Sequence, residues 1–359
     1  MKEKKIAILV PTLLKGGAEK QSVLLANSLI KNNVVYFIIL NGNSIDSNLF
    51  KQILKDVKVL RFTKNLLCST LILYKFFREK KINTIFSYLA SANFINGFVG
   101  KLAKVPNRIG GIRNAKLKRS KLPFERFFHN NLLTKTISNS YSAQIELTKV
   151  GFKKDKFYII HNAFDLKQPR INRKSKDNII ILSVARFVSQ KDYSTAIDAI
   201  RILKRMIQKS QYSFKYFIVG YGPEEKKIRN KIKELNLENH IEVVINPKNI
   251  FEYFKMADLF LTTSIYEGMS NSVMEAMSFS LPIIATNAGD MKYLIEDNYN
   301  GFICPYQEPN IISNKLVELI NDFDLRSNMG NNSYSKLKDT FSIKGFSENY
   351  KSFLKSVNN

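Results

Sequence analysis

The sequence predicts an α/β protein built from two doubly wound parallel-sheet domains, on three observations. Short apolar, β-branched runs alternate with helical patterns, the signature of a parallel sheet covered on both faces. That alternation stops at a polar stretch, Lys167–Asn178, which contains Pro169 and no apolar periodicity, and then starts again. The length of 359 residues suits two domains of roughly 100–200 residues each. The expected division is 1–165 and 166–359, with the last C-terminal helix able to pack back on the first domain.

The elements follow in order. Ile6–Val10, Val34–Leu40, Val57–Arg61, Thr84–Ser87, Arg108–Ile112, Thr136–Ser138 and Phe157–Ile160 read as strands of the first half. Ala18–Lys31, Thr70–Lys80, Asn93–Leu102 and a segment near Ala143–Val150 read as its helices, from apolar residues spaced three and four apart. The second half gives strands at Ile179–Val184, Phe214–Val219, Ile241–Val244, Leu259–Thr263 and Pro282–Ala285. Its helices are Tyr193–Met206, Glu224–Leu235, Ile250–Ala257, Ser270–Phe279 and a short one near Met291–Ile295; the tail from Pro309 is mostly helical. Two such domains place a ligand cleft between them.

Charge is unevenly spread. Lys and Arg total 56 against 30 Asp and Glu, a net charge of +26. Residues 1–165 carry 29 basic and 9 acidic side chains, so +20 of that charge lies in the first half. A surface of that sign seeks an acidic partner, and an anionic lipid surface is the expected one. Lys116, Lys118, Arg119 and Lys121 form its densest cluster, followed by Pro123-Phe124 and Phe127-Phe128. Two cysteines, Cys68 and Cys304, exclude a disulfide framework and suit a reducing cytosol. The start runs from Met1-Lys2-Glu3-Lys4-Lys5 straight into a strand, without the apolar core and cleavage site of a signal peptide. The charge-free run Ile82–Gly100 contains Asn83, Asn93 and Asn96, whose amides a membrane-spanning helix would have to bury. A buried element lining a cleft is expected there instead.

Several loops suit a phosphate. Gly16-Gly17-Ala18-Glu19 opens a helix after the first strand, where small residues let backbone N–H groups approach an anion. Arg186 ends the first strand of the second domain and Lys191 stands five residues on. One can grip two oxygens as a fork and the other acts as a point charge. Gly220-Tyr221-Gly222-Pro223 is expected as a turn after the next strand. In Tyr266-Glu267-Gly268-Met269-Ser270-Asn271-Ser272-Val273-Met274-Glu275 a helix begins among small and hydroxylic residues, with a carboxylate in the loop and another in the helix. Carboxylates accept hydrogen bonds from vicinal diols, so two of them beside an anion-binding helix start can hold the sugar ends of a nucleotide sugar.

Together these residues resemble the retaining glycosyltransferases of family 4, the glycosyl transferases group 1, with two Rossmann-like domains in the GT-B arrangement. The resemblance spans essentially the whole chain. Gly16–Glu19 is similar to the family's N-terminal glycine loop. Ile160-His161-Asn162-Ala163-Phe164-Asp165 resembles its Asn-Gly-x-Asp element with Ala163 in place of glycine. Ala185-Arg186 with Gln190-Lys191-Asp192 resembles its Gly-Arg…Gln-Lys-Gly segment, and Glu267 with Glu275 matches its paired glutamates.

The resemblance implies that Arg186 and Lys191 bind the donor diphosphate, Glu275 the ribose and Glu267 the donor sugar. Gly268, Met269, Ser270, Asn271, Ser272 and Val273 would line the donor, with Gly16 and Gly17 approaching from the other domain. Tyr88, Arg113 and Asn114 would lie on the acceptor side. Many relatives carry a histidine near Tyr88, which this chain lacks; His161 is read as a structural strand-end residue. The acceptor implied is a glycan on a polyprenyl diphosphate, in bacterial surface-polysaccharide synthesis at the inner face of the cytoplasmic membrane, with anomeric configuration retained.

The leaving group is a nucleoside diphosphate, whose growing charge Arg186, Lys191 and the helix amides from Ser270 onward would stabilise. No metal or other cofactor is expected: Asp322-Phe323-Asp324 spells a metal-binding triplet but reads as a cap between two C-terminal helices. Two other classes compete. A nucleotide-sugar epimerase of this architecture needs acid and base groups at the sugar, for which three histidines are a poor supply. A nucleic-acid binder would explain the charge but not two carboxylates at a nucleotide pocket, so no nucleic acid is expected.

Overall fold

A computed structural model describes residues 4–14, 16–63, 66–113 and 120–357, without the side chains of 66–68. Asn114, Lys116, Lys118 and Arg119 lie outside the described residues.

The chain forms two units: residues 1–163 with 343–359, and 164–342. The first runs β1 (Lys4–Val10), α1 (Gly17–Leu29), β2 (Asn33–Ile39), α2 (Ser47–Phe50), β3 (Lys58–Arg61), α3 (Leu66–Glu79), β4 (Thr84–Ser87), α4 (Ala90–Leu102), β5 (Asn107–Ile112), α5 (Leu122–Phe127), β6 (Lys135–Ser138), α6 (Tyr141–Lys149) and β7 (Phe157–Ile159). Its sheet has the order β3-β2-β1-β4-β5-β6-β7. β1 pairs in parallel with both β2 and β4, so the order reverses at the carboxyl end of β1, where open sheets bind ligands. β1 is buried from Ile6 to Val10, an apolar run rather than an alternating one, because helices cover both faces.

The second unit contains β8 (Asn178–Arg186), α7 (Tyr193–Met206), β9 (Ser213–Tyr221), α8 (Glu225–Glu234), β10 (Ile241–Ile245), α9 (Phe251–Met256), β11 (Leu259–Thr262), α10 (Asn271–Ser278), β12 (Ile283–Thr286), α11 (Met291–Leu294), β13 (Gly301–Cys304), α12 (Pro309–Asn321) and α13 (Phe323–Thr340). Its parallel order is β10-β9-β8-β11-β12-β13. α7 shows why such a segment folds as it does. Ala196, Ile197, Ile200 and Leu203 form one buried stripe, and Asp192, at φ +44, caps the helix by accepting from Thr195 N at 3.4 Å and also accepts from the Thr195 hydroxyl at 2.6 Å. Burying each large aliphatic side chain contributes about 1.5–3 kcal/mol.

The last helix, α14 (Ile343–Ser356), belongs to the first unit. Phe346, Tyr350 and Phe353 enter the same core as Ile6, Val23 and Phe86, and Tyr350 meets Phe86 edge-on at 5.6 Å. The boundary therefore falls at 163/164 and again at 342/343, two residues from the expected first break.

Four local readings are corrected. Gly220 and Tyr221 lie inside β9, not after it; a Cβ on Gly220 would sit 1.9 Å from the Ala185 carbonyl, so the close pairing with β8 requires glycine there. β13 is an unforeseen strand, four residues long and opening on a glycine. α5 and the π-helical turn after it, Phe128–Leu132, fill a stretch left without an element. The run 82–100 forms β4 and most of α4, and it is not wholly buried, since Phe94 and Phe98 face outward. No described helix is long and apolar enough to cross a membrane. Asp322 does cap a helix: it ends α12 and accepts from Leu325 N at the start of α13, at 2.8 Å.

Candidate functional site

The densest convergence of predicted residues lies at the carboxyl ends of β8 and β11. After β8 the chain makes a 3-10 turn, Ser189–Lys191, and the loop after β11 runs alongside it. Ile265 N donates to the Gln190 carbonyl (2.9 Å), and the Gln190 amide returns a bond to the Tyr266 carbonyl (2.7 Å). The Thr263 hydroxyl donates to the carbonyls of Lys191 (3.1 Å) and Asp192 (2.8 Å). Two loops far apart in sequence are thereby fixed as one surface.

On that surface Lys191 and Glu267 form an ion pair, their side chains 14% and 11% exposed. The Ser264 hydroxyl donates to the same Glu267 oxygen at 2.9 Å, and Thr286 holds the Ser264 carbonyl at 2.6 Å. Two side chains read as separate donor contacts are therefore partners. Arg186 does not join them: it stands exposed at the end of β8, paired in register with Tyr221, and no ion pair to it is found among the described residues. Lys191 is held by a carboxylate, whereas Arg186 faces solvent.

α10 starts at Ser270, whose side chain caps no amide and instead lies 3.3 Å from the Ser272 hydroxyl. First-turn N–H groups lack carbonyl partners within a helix, and the helix dipole adds positive potential there. Gly268, Ser272 and Glu275 are half-buried, and Asn271 is exposed. Met269 and Val273 differ from the expectation. Their side chains are 6% and 0% exposed and pack in the core with Met274 and Phe260, so only their backbone is available to a ligand.

In the first unit Gly16 is the N-cap of α1 and Gly17 its first residue. The anion beside Gly16 is the chain's own, because a Cβ on Gly16 would lie 2.0 Å from Glu19 Oε2, and Glu19 is buried. Gln21 on the same helix takes both backbone groups of Ala163, accepting from its N (2.9 Å) and donating to its O (2.7 Å).

Tyr88 and Arg113 come together past the ends of β4 and β5. The Arg113 guanidinium lies 4.7 Å from the Tyr88 ring centroid and donates to Asn162 Oδ1 at 3.1 Å. Burial pushes the Tyr88 hydroxyl well above its ordinary pKa; Tyr350 adds to the shift and Arg113 opposes it. Leu89 then enters α4 at φ +71, a backbone region costing a leucine about 1–3 kcal/mol. His161 Nδ1 lies 3.0 Å from the Asn139 carbonyl, which suits a structural side chain.

Sequence reasoning missed two buried titratable groups in the stretch 122–132. Glu125 is 6% exposed, and burial raises its carboxyl above the usual range despite the Asn93 amide and Lys121. His129 lies between the Thr136 hydroxyl (2.8 Å) and the Lys153 carbonyl (2.9 Å). The carbonyl can only accept, so Nε2 carries the proton, and burial lowers the pKa to about 4. Neither residue belongs to a motif; both sit in a stretch for which no element had been read.

Residues 165–336 match the family model described as glycosyl transferases group 1. The chain is similar to the amylovoran biosynthesis glycosyltransferase AmsK of Erwinia amylovora, 30% identical over 215 residues that make up 56% of this chain and 51% of AmsK. It thus spans about half the length of that relative. An uncharacterized glycosyltransferase of Haemophilus influenzae is 26% identical over 356 residues, covering 94% of this chain and 96% of that one. Among solved structures, Anabaena Alr3699/HepE in complex with UDP matches with a TM-score of 0.81 at 19% identity, over 98% of this chain and 100% of that one. At that identity the likeness is one of fold, and the fold is GT-B.

Proposed function

We propose that the chain, whose residues 165–336 match the glycosyl transferases group 1 family model, transfers a sugar from a nucleoside-diphosphate sugar to a glycan acceptor. The observation that carries this reading is the Lys191–Glu267 pair beside the start of α10, where the Ser270 side chain makes no cap. A cation and a carboxylate are stored there together. A diphosphate arriving at α10 competes with Glu267 for Lys191 and leaves the Glu267 carboxylate for donor sugar hydroxyls. Glu275, one turn into α10, is assigned the ribose. The UDP bound to Anabaena Alr3699/HepE and the amylovoran biosynthesis that names AmsK support this choice of substrate classes.

In the reaction the bond between the anomeric carbon and the diphosphate oxygen breaks, and its electron pair leaves with the nucleotide. Arg186, Lys191 and the α10 amides stabilise that charge as fixed dipoles and cations. The acceptor hydroxyl attacks from the face the leaving group vacates and passes its proton to a phosphate oxygen, which retains configuration. The acceptor side is assigned to Tyr88, Arg113 and Asn114, the glycan being carried on a polyprenyl diphosphate at the inner face of the cytoplasmic membrane. The chemistry is proposed to proceed without a metal.

Screening nucleoside-diphosphate sugars for slow hydrolysis tests the reading. One donor is expected to be hydrolysed, with activity surviving EDTA. No hydrolysis or thermal stabilisation with any donor would remove the transferase assignment, and activity restored only by Mg²⁺ or Mn²⁺ would remove the metal-free one.

A further inference from the structure

We propose that the outer face of α4 and α5 is a docking surface for an anionic lipid bilayer, with aromatic rings entering the interface and lysines on its margins holding phosphate headgroups. The proposal deepens the membrane part of the function proposed above and extends the basic and aromatic segment around Lys121, Phe124 and Phe127 onto the outer face of α4.

α4 buries two amides beside Ala92, Ile95 and Val99 and leaves large apolar side chains outside. Asn93 and Asn96 point inward: Asn93 Oδ1 accepts from the Ser87 hydroxyl at 2.8 Å and from Gly111 N at 3.2 Å, and the Asn96 amide donates to the Ile109 carbonyl at 3.0 Å. Outward, at intervals of four residues and hence on one stripe, stand Phe94, Phe98 and Leu102. A helix covering a sheet normally keeps charged and polar residues on that outer face.

The stripe does not end with the helix. The rings of Phe94 and Phe98 are 4.9 Å apart, and both meet Phe128 edge-on, at 5.5 and 5.8 Å. Phe128 adjoins Phe127 at 6.2 Å, and Phe124 is exposed one turn earlier on α5. α3 extends the same layer, since its Leu73 and Phe77 share one core with Ala92, Ile95 and Val99 of α4 under the same sheet face. Leu102 and Phe124 are 69% and 65% exposed. Contiguous apolar surface of this kind marks an interaction site rather than ordinary scatter.

Charge identifies the partner. Lys101 and Lys104 stand at the end of α4 and Lys121 at the start of α5, all exposed and none in an ion pair among the described residues. With +20 over residues 1–165, a second copy of this surface would be repelled. An anionic membrane satisfies both features, because rings and aliphatic chains enter the acyl boundary while ammonium groups remain at the phosphates.

The chain has no tryptophan, which makes the test direct. Phe124→Trp in the full chain is expected to shift its emission to the blue, and to be quenched by brominated lipid, on vesicles of phosphatidylglycerol and phosphatidylcholine. Phe251→Trp, at an exposed site in the second unit, is expected to do neither. The triple variant Leu102→Gln/Phe124→Gln/Phe127→Gln is expected to lose at least tenfold in vesicle affinity, with an unchanged melting temperature and unchanged donor hydrolysis. Vesicle binding by the triple variant equal to the parent's, or a Phe124→Trp emission insensitive to lipid, overturns the surface. So does a dimer in solution that the triple variant abolishes while the parent ignores vesicles. Donor hydrolysis is read separately without lipid, so failure of this surface and failure of the transferase reading are distinguishable.

Discussion

The two units share a plan and differ in what their outer helices show to solvent. Each is a parallel sheet whose first strand lies inside the order, with a helix-opening loop at its carboxyl end. In the second unit α8 presents Lys226, Lys227 and an Arg229–Glu225 pair outward and buries Ile228 and Ile232. In the first unit α4 presents Phe94, Phe98 and Leu102. The loops differ as well: α1 begins against its own Glu19, whereas α10 begins on a serine that caps nothing. One architecture can therefore divide its labour without changing topology. The second unit keeps a helix start suited to an outside anion, and the first spends its differences on its exterior.

Four changes would break or sharpen that division. The largest expected effect is on the first unit in acid. His129 is held neutral, with a pKa lowered from 6.5 to about 4. The stability this represents is full above pH 6.5 and is lost as pH falls toward and through 4, amounting to about 3 kcal/mol at roughly 1.36 kcal/mol per unit. Thermal melts from pH 7 to 4 should show the first unit weakening, and His129→Gln should flatten that slope; an equal slope in the variant would clear His129 of the role.

Next comes the proposed donor site. Lys191→Ala and Glu275→Ala should each reduce turnover at least about tenfold, the scale of one charge-assisted contact of ~1.5–3 kcal/mol. Vesicle binding should not change. Full activity at both saturating and subsaturating donor would dissolve the contrast between the two loops.

Gly220→Ala should act on the second unit alone, because its Cβ meets the Ala185 carbonyl backbone. A drop of about 1–3 kcal/mol in stability, the usual scale of overpacking, is expected. Calorimetry showing the first unit melting earlier instead would contradict the division at 163/164.

The smallest effect belongs to Glu125. Its raised pKa means that ionisation costs folding energy, so its contribution is intact below the ordinary carboxylate pKa and fades as pH rises through the folded value. Glu125→Gln should raise the melting temperature by a few degrees at pH 8 and hardly at all at pH 4. A lower melting temperature at pH 8 would mean that the carboxylate is needed ionised.

Much of this was legible beforehand, for identifiable reasons. Strand β1 and helix α7 have the apolar spacing of their class, and Asp322 had the sequence of a cap. β13 was not legible, because four residues opening on glycine carry no periodicity. Neither was the Lys191–Glu267 pair, since 76 positions of sequence separation leave no trace of contact. α4 misled for a subtler reason. Spacing shows two apolar stripes, Ala92-Ile95-Val99 and Phe94-Phe98-Leu102, and does not say which of them is buried. Asn93 and Asn96 can face inward only because Ser87 and the β5 backbone supply partners that tertiary structure alone provides.

The return of α14 to the first unit has a consequence for how the protein is made. On the ribosome, residues 1–163 emerge first, yet their core lacks Phe346, Tyr350 and Phe353 until the whole second unit has been synthesised. Domains ordinarily fold in the order of their synthesis. Here the sheet translated first would be completed last, and the nascent chain would hold a finished second unit while the first still waited for α14.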